Sequence, residues 1–247
     1  CDSVNSYHKL QETVTFAKSK GIDIIALQET NSHGPHNLLH TLTGSGVATG
    51  VQVVESVAEG ALRGVRGVAF LILSSNVTNT KALYRAMDAV HQWSNPSGEI
   101  ETGRVLLISC TFNNKEYYLC NFYAPSDSSM DSKDSFFDFY LNQFDISIDY
   151  NLVFLGDWNI VEDEYKDIIH ADRNKTDDPH PSLPSFDAFL GKFHMADTFL
   201  IDDDDSDKHE EARYHPYTFL HRNKQLWKRL GRIYINPALV GYTSFLE

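Results

Sequence analysis

Apolar residues recur at helical spacing between Tyr7 and Lys20, where Leu10, Val14 and Ala17 share one face, Asp2 or Ser3 offers a cap and Gly21 a stop. The period then changes. Ile22 to Leu27 is a short, β-branched apolar run, which predicts a buried strand delivering Gln28 and Glu29 at its end. Thr43 to Gly50, rich in Gly, Ser and Thr, reads as a loop, and Val51 to Val54 and Val68 to Leu73 read as strands. Arg104 to Phe112 and Glu116 to Tyr123 form the arms of a hairpin with Asn113-Asn114 at its tip. Asp131 to Ile148 predicts a helix with Phe136, Phe137, Tyr140, Leu141 and Phe144 on its core face. Leu152 to Leu155 is a further buried strand, running into Gly156-Asp157-Trp158-Asn159. His170 to Pro184 holds three prolines and reads as an exposed loop. Ser185 to Phe193 then reads as a helix, and Tyr217 to Leu220 and Arg232 to Ile235 as short strands. Hairpins mixed among helices favour an α+β sandwich of two packed sheets over a doubly wound parallel sheet.

Composition narrows this picture without redirecting it. The 247 residues are 42% hydrophobic and 22% charged, ordinary globular usage that excludes wholesale disorder and collagen-like repeats. No internal repeat or linker divides the chain, so residues 1–247 read as a single domain. The longest apolar run, Val68 to Leu73, falls far short of the roughly 20 residues a membrane-spanning helix needs. The opening Cys1-Asp2-Ser3-Val4-Asn5 has neither the basic start nor the apolar core of a signal peptide. Three cysteines, Cys1, Cys110 and Cys120, are too few for a disulfide scaffold and fit a reducing, intracellular setting, nuclear or cytoplasmic. The formal charge of −13, from 21 Lys and Arg against 34 acids, works against broad affinity for nucleic acid, which needs clustered cations. It leaves room for a local carboxylate site acting on phosphate esters.

The candidate chemistry lies at strand ends. Two apolar strands stop at acids, Glu29 and Asp157, and a third ends in Asn121-Phe122-Tyr123-Ala124-Pro125. A buried strand that points a carboxylate off its end is a rigid mount for a metal ligand or a base. Oxygen donors of this kind suit Mg2+, which is held by one or two carboxylates plus waters and substrate phosphate. Taken singly, on spacing alone, each acid better fits the cap of a following turn.

The three segments Leu27-Gln28-Glu29-Thr30, Asn121-Phe122-Tyr123-Ala124-Pro125 and Gly156-Asp157-Trp158-Asn159 occur in the order found in the endonuclease/exonuclease/phosphatase superfamily, which includes the DNase I-like and apurinic-site nucleases. Arg66 to Ile72 resembles its glycine-led strand, Gly103 to Leu106 the start of its central hairpin, and Tyr217-Thr218-Phe219 and Arg232 to Leu239 its closing strands. The whole is similar to the endonuclease domain of non-LTR retrotransposons. The resemblance implies a DNase I-like four-layer sandwich and Mg2+-dependent nicking of DNA, with Mn2+ as a substitute. It also implies a place in a polyprotein with reverse transcriptase. It maps Glu29 to the metal ligand, Asp157 to the group that orients or deprotonates the attacking water, Asn159 to a phosphate contact and Tyr123 to a stabiliser of phosphoryl charge. Attack on an anionic diester needs charge neutralisation and an aligned water, so the roles are chemically coherent.

The pattern is also broken. No strand with an asparagine precedes the first helix, so Asn5 is not given that role. Gly231, within Arg229-Leu230-Gly231-Arg232-Ile233-Tyr234, stands where the family has an aspartate, and the closing Ser-Asp-His is missing before Glu247. The domain thus reads as lacking a first strand and the last motif, incomplete at both ends. Two alternatives stay open: a catalytically impaired remnant that at most binds DNA, and a phosphatase of the same fold. The one basic stretch, Arg222, Lys224, Lys228, Arg229 and Arg232 around Trp227, is a candidate nucleic-acid contact, with phosphates met by the cations and a base by the indole. A packed Trp227 within a basic surface turn accounts for it as well. The eleven histidines, among them the pairs His33/His36 and His215/His221, show no zinc spacing. Asp202 to Asp205 lacks the alternation of a calcium loop. Asn76-Val77-Thr78 and Asn174-Lys175-Thr176 match glycosylation acceptors with no secretion signal beside them.

Overall fold

The helical spacing at the start of the chain is realised as α1 (Tyr7–Ser19), with Leu10, Val14 and Ala17 buried along its inner face. Gly21 ends it in a left-handed conformation (φ 67°), donating to Lys18 O while Ile22 N–H reaches back to Ala17 O, a Schellman closure. This computed structural model describes residues 7–30, 38, 42, 49–57, 67–85, 93–98, 100–126, 129–161, 168–170, 183–198, 219–221 and 226–242.

Strands β1 (Ile24–Gln28), β2 (Gln52–Val57) and β3 (Gly67–Ile72) form an antiparallel sheet in the order β1-β3-β2. β4 (Val77–Arg85) leads to the short pair β5 (Trp93–Ser94) and β6 (Ile100–Glu101). The predicted hairpin follows as β7 (Val105–Phe112) and β8 (Lys115–Tyr123). Its tip, Asn113-Asn114, has φ of 49° and 61°, the paired left-handed conformation of a tight hairpin turn. Next come α2 (Met130–Gln143), β9 (Asn151–Asp157), β10 (Ile168–His170), α3 (Pro184–Lys192) and β11 (Ala196–Asp197). The last strands are β12 (Phe219–His221), β13 (Leu226–Lys228) and β14 (Gly231–Ile235), followed by a 3-10 helix at Pro237–Tyr242. A six-stranded sheet runs β11-β14-β9-β8-β7-β4, antiparallel except where β8 and β9 run side by side. β10, β13 and β12 make a separate three-stranded sheet.

Side-chain alternation sorts the layers. Along β3, Val68, Phe70 and Ile72 pack with Leu106, Ile108 and Tyr123 of the larger sheet, while Ala69 and Leu71 pack under α1 with Leu10 and Val14. The opposite face of the six-stranded sheet meets α2 and α3 in an aromatic core built on Phe122, Phe137, Phe154, Trp158, Phe186 and Phe189. Phe122 and Trp158 lie 4.8 Å apart between ring centres, and Phe137 and Phe186 make an edge-to-face pair at the same 4.8 Å. The layers are α1, three-stranded sheet, six-stranded sheet, then α2 with α3. The expected α+β two-sheet sandwich is present.

Two details differ from the sequence reading. The helix expected to reach Ile148 stops at Gln143, where Phe144 takes an extended conformation and its N–H caps Tyr140 O. Phe144 keeps its place in the core without helical geometry. β4 escapes sequence reading because Val77 to Arg85 is mostly polar and carries two register shifts, as sheet-edge strands often do. The expected loop from His170 to Pro184 lies mainly outside the described residues, as do residues 43–48 of the Gly-rich loop and Tyr217.

Candidate active site

Three strands end on one rim of the sandwich. Parallel pairing of β8 with β9 sets Tyr123 directly opposite Asp157, and the β1 end brings Glu29 to Tyr123, whose hydroxyl donates to Glu29 Oε1. Residues separated in sequence by 94 positions thus share one hydrogen bond. Glu29 sits just past the strand with φ 53°, a conformation unusual for a residue with a side chain. Its neighbours hold it there. Gln28 Nε2 donates to Asn121 Oδ1 at 2.7 Å, and Thr30 N–H donates to Gly67 O at 3.1 Å. Gly67 is needed at that crossing, since a Cβ on it would lie 2.3 Å from Thr30 Oγ1.

The Gly156-Asp157-Trp158-Asn159 turn is built from equally specific contacts. Gly156 has φ 146°, and a Cβ there would stand 2.0 Å from the Phe122 carbonyl oxygen, so only glycine lets β9 lie this close to β8. Trp158 plunges into the aromatic core and ties its indole N–H to Arg232 O at 3.1 Å. That anchor turns the flanking Asp157 and Asn159 toward the rim. Asp157 Oδ1 accepts from Asn159 N–H at 3.1 Å, and Asn159 Nδ2 donates to Ala124 O at 2.8 Å. Asn159, at φ 51°, therefore commits one amide hydrogen to holding the Tyr123-Ala124 segment. Lys133 of α2 reaches the same turn, donating to Asn159 O at 2.7 Å.

The electrostatics separate the groups. Burial pushes the Asp157 carboxyl above the ordinary carboxylate range; the Asn159 N–H pulls it back, the nearby Glu29 charge raises it again and Lys133 lowers it. Burial, then the hydrogen bond to Glu29, push the Tyr123 hydroxyl far up, so it stays a neutral donor at physiological pH. Behind it, the buried Arg104 pairs with Glu101, donates to Tyr123 O at 3.0 Å and stacks 5.1 Å from the Tyr123 ring centre.

The structure thus brings Glu29, Tyr123, Asp157 and Asn159 to one rim. It does not do so for the whole basic stretch. Arg229 and Arg232 are only 2% and 4% exposed, and their guanidinium groups face Asp197 at 2.6 and 3.7 Å. Both cations are thus buried and paired with one carboxylate, rather than spread over an exposed basic turn. Trp227 and Lys228 lie in β13, and Arg222 and Lys224 fall outside the described residues. Gly231 pairs in register with Asp157, so the aspartate expected at that position would have stood beside it. A cavity of about 370 Å3, lined in part by Gln28, Gly156, Asp197 and Gly231, opens there.

Sequence reasoning missed Asn121, Arg104 and Lys133. Asn121 left a signal: a lone polar residue between Cys120 and Phe122 in an apolar strand, at a position whose alternation points between the sheets. Arg104 and Lys133 left none, because their importance comes from contacts distant in sequence. Among the described residues no group of three or more His, Cys, Asp or Glu side chains gathers as a metal cage.

No protein-family model and no curated protein sequence matches the chain. Solved structures do. An AP endonuclease from Archaeoglobus fulgidus is similar with a TM-score of 0.58 at 17% identity, over 97% of this chain and 86% of that one. The endonuclease domain of TRAS1, a telomere-specific non-LTR retrotransposon, is similar with a TM-score of 0.57 at 14% identity, over 94% and 80%. TDP2 from D. rerio, complexed with a single-strand DNA product, gives 0.54 at 15% identity, over 95% and 79%. With these likenesses spanning nearly the whole chain, and with two facing sheets between helical layers, the chain has the DNase I-like sandwich fold of these structures.

Proposed function

We propose that this chain is a metal-dependent phosphodiester hydrolase that nicks DNA, of the kind carried by non-LTR retrotransposons. The observation that carries the reading is the convergence of Glu29, Tyr123 and Asp157 from three strand ends, with Asn159 beside them. The donor set fits Mg2+: two carboxylates near enough for the Glu29 charge to raise Asp157, with the Tyr123 phenol bonded to Glu29, are hard oxygen groups. Glu29 would hold the ion, with Asp157 close by. Bound there, Mg2+ supplies positive charge to the scissile phosphate.

The chain's own residues supply the rest. Asp157, raised above an ordinary carboxylate, is a better base toward a water than a solvent-exposed aspartate. Tyr123, neutral and donating, fixes the Glu29 carboxylate and can share its donor with a phosphoryl oxygen. Asn159 retains a second amide hydrogen for the phosphate once the first is spent on Ala124. DNA is the substrate favoured by the order of the sequence motifs, and the TDP2 structure with a DNA product supports it by analogy of fold.

Gly231 favours a second reading, an impaired enzyme of the same lineage, because it leaves no carboxylate opposite Asp157 on β14. End-labelled duplex and single-stranded oligonucleotides, incubated with Mg2+ or EDTA, test the first reading. Internal cleavage that needs Mg2+ supports it. Release of phosphate from phosphomonoesters with no cleavage of DNA would replace it with the phosphatase reading.

A further inference from the structure

We propose that Asn121 is a positioning residue for the candidate active site: its amide clamps the small sheet to the large one and thereby sets where the Glu29 carboxylate stands. The inference rests on the hydrolase reading for its purpose and on geometry for its substance.

Asn121 is completely buried among apolar side chains of the two sheets. A buried primary amide without partners is strongly unfavourable. Here it is used to the full. Nδ2 donates at 3.0 Å to both Leu27 O and Ala69 O, two residues that face each other across β1 and β3. Oδ1 accepts from Gln28 Nε2 at 2.7 Å. One side chain from β8 therefore grips the last rungs of the neighbouring sheet, immediately before Glu29.

Alternation on β8 explains why this strand does two jobs. Asn121 and Tyr123 are two residues apart and face the same side, so one holds the β1 backbone and the other holds the Glu29 carboxylate. Glu29 itself has the left-handed φ of 53°, a strained conformation that persists only where surroundings over-determine it. The clamp at Gln28 on one side and the Thr30–Gly67 hydrogen bond on the other supply that constraint. Removing the clamp lets the β1 end relax. A displacement of about 1 Å at such a site costs on the order of a hundredfold in rate.

The test uses Mn2+ as a paramagnetic probe, titrated by electron paramagnetic resonance, beside DNA nicking and thermal unfolding. The variants are Asn121→Ser, Gln28→Met and Glu29→Gln. Gln28→Met removes one half-buried hydrogen bond and keeps the side-chain length, so it stays informative where Asn121→Ser fails to fold. The expected result is a Mn2+ half-saturation about tenfold weaker in Gln28→Met and weaker still in Asn121→Ser, in folded protein, with the site signal gone in Glu29→Gln. Folded variants that bind Mn2+ as the parent does overturn the proposal, whatever their stability. A parent that binds Mn2+ through Glu29 yet cuts no DNA removes the hydrolase reading and leaves the positioning claim to be decided by the titration. A parent that binds no Mn2+ overturns both.

Discussion

Asp157 carries a conflict between stability and chemistry. Burial and the Glu29 charge raise its folded pKa above the value of about 3.9 expected for an unfolded aspartate. Folding therefore favours the protonated form. The stabilisation is full below about pH 4 and is lost as pH rises through the raised folded value. At neutral pH the ionised group is held at a cost, as a base awaiting a proton has to be. Asp157→Asn should then raise the melting temperature at pH 7.5 and lose that advantage as the pH approaches 4, a comparison read by thermal unfolding across pH. An unchanged or lowered melting temperature at pH 7.5 would mean that Asp157 is not under this strain. At this scale short contiguous motifs pointed to Glu29, Tyr123, Asp157 and Asn159, which the fold brings to one rim. The burial of Arg229 and Arg232 was not legible, because a basic stretch looks the same whether its guanidinium groups face solvent or Asp197.

Elements were legible where their period was clean. The β7–β8 hairpin, α1 and β3 follow alternation or helical spacing nearly to the residue. β4 did not, because its register shifts break the alternation. α2 ended early because Phe144 satisfies the core from an extended conformation, which spacing alone cannot distinguish from another helical turn. β9 ran two residues further than Leu155 because Gly156, a strand breaker by composition, permits a close approach to Phe122 here. That gives a sharp expectation. Gly156→Ala places a methyl against the Phe122 backbone at a positive φ and should destabilise by roughly 2–6 kcal/mol, overlap and backbone strain each contributing about 1–3. Denaturant unfolding measures it. A loss below about 1 kcal/mol would show that β8 and β9 do not meet this closely.

The whole molecule is an ordered stack in which the aromatic core under α2 and α3 holds the six-stranded sheet rigid, and the rim of that sheet presents the site. Two packed sheets were readable from the mixture of hairpins and helices, and the outer helical layers only from the resemblance; which strand lies beside which was not, since the parallel β8–β9 pair that unites Tyr123 with Asp157 is non-local. Gly231 is the departure with consequences at this scale. It lines the cavity beside Asp157 and is not among the positive-φ residues, so its backbone accepts an aspartate. Gly231→Asp should lower the melting temperature in EDTA, by crowding a further carboxylate against Asp157, and recover it in Mg2+. The same variant should cleave DNA faster. A melting temperature indifferent to Mg2+ would separate that position from any metal site.

The central claim, that the Glu29–Tyr123–Asp157 rim hydrolyses DNA phosphodiesters, is tested most directly by nicking of supercoiled plasmid in Mg2+ and in EDTA. The parent chain is run beside Glu29→Gln and Asp157→Asn. Relaxed circles are expected in Mg2+ alone, reduced on the order of a hundredfold or more in each variant. Nicking that persists in both folded variants, or none by a folded parent chain, would contradict it.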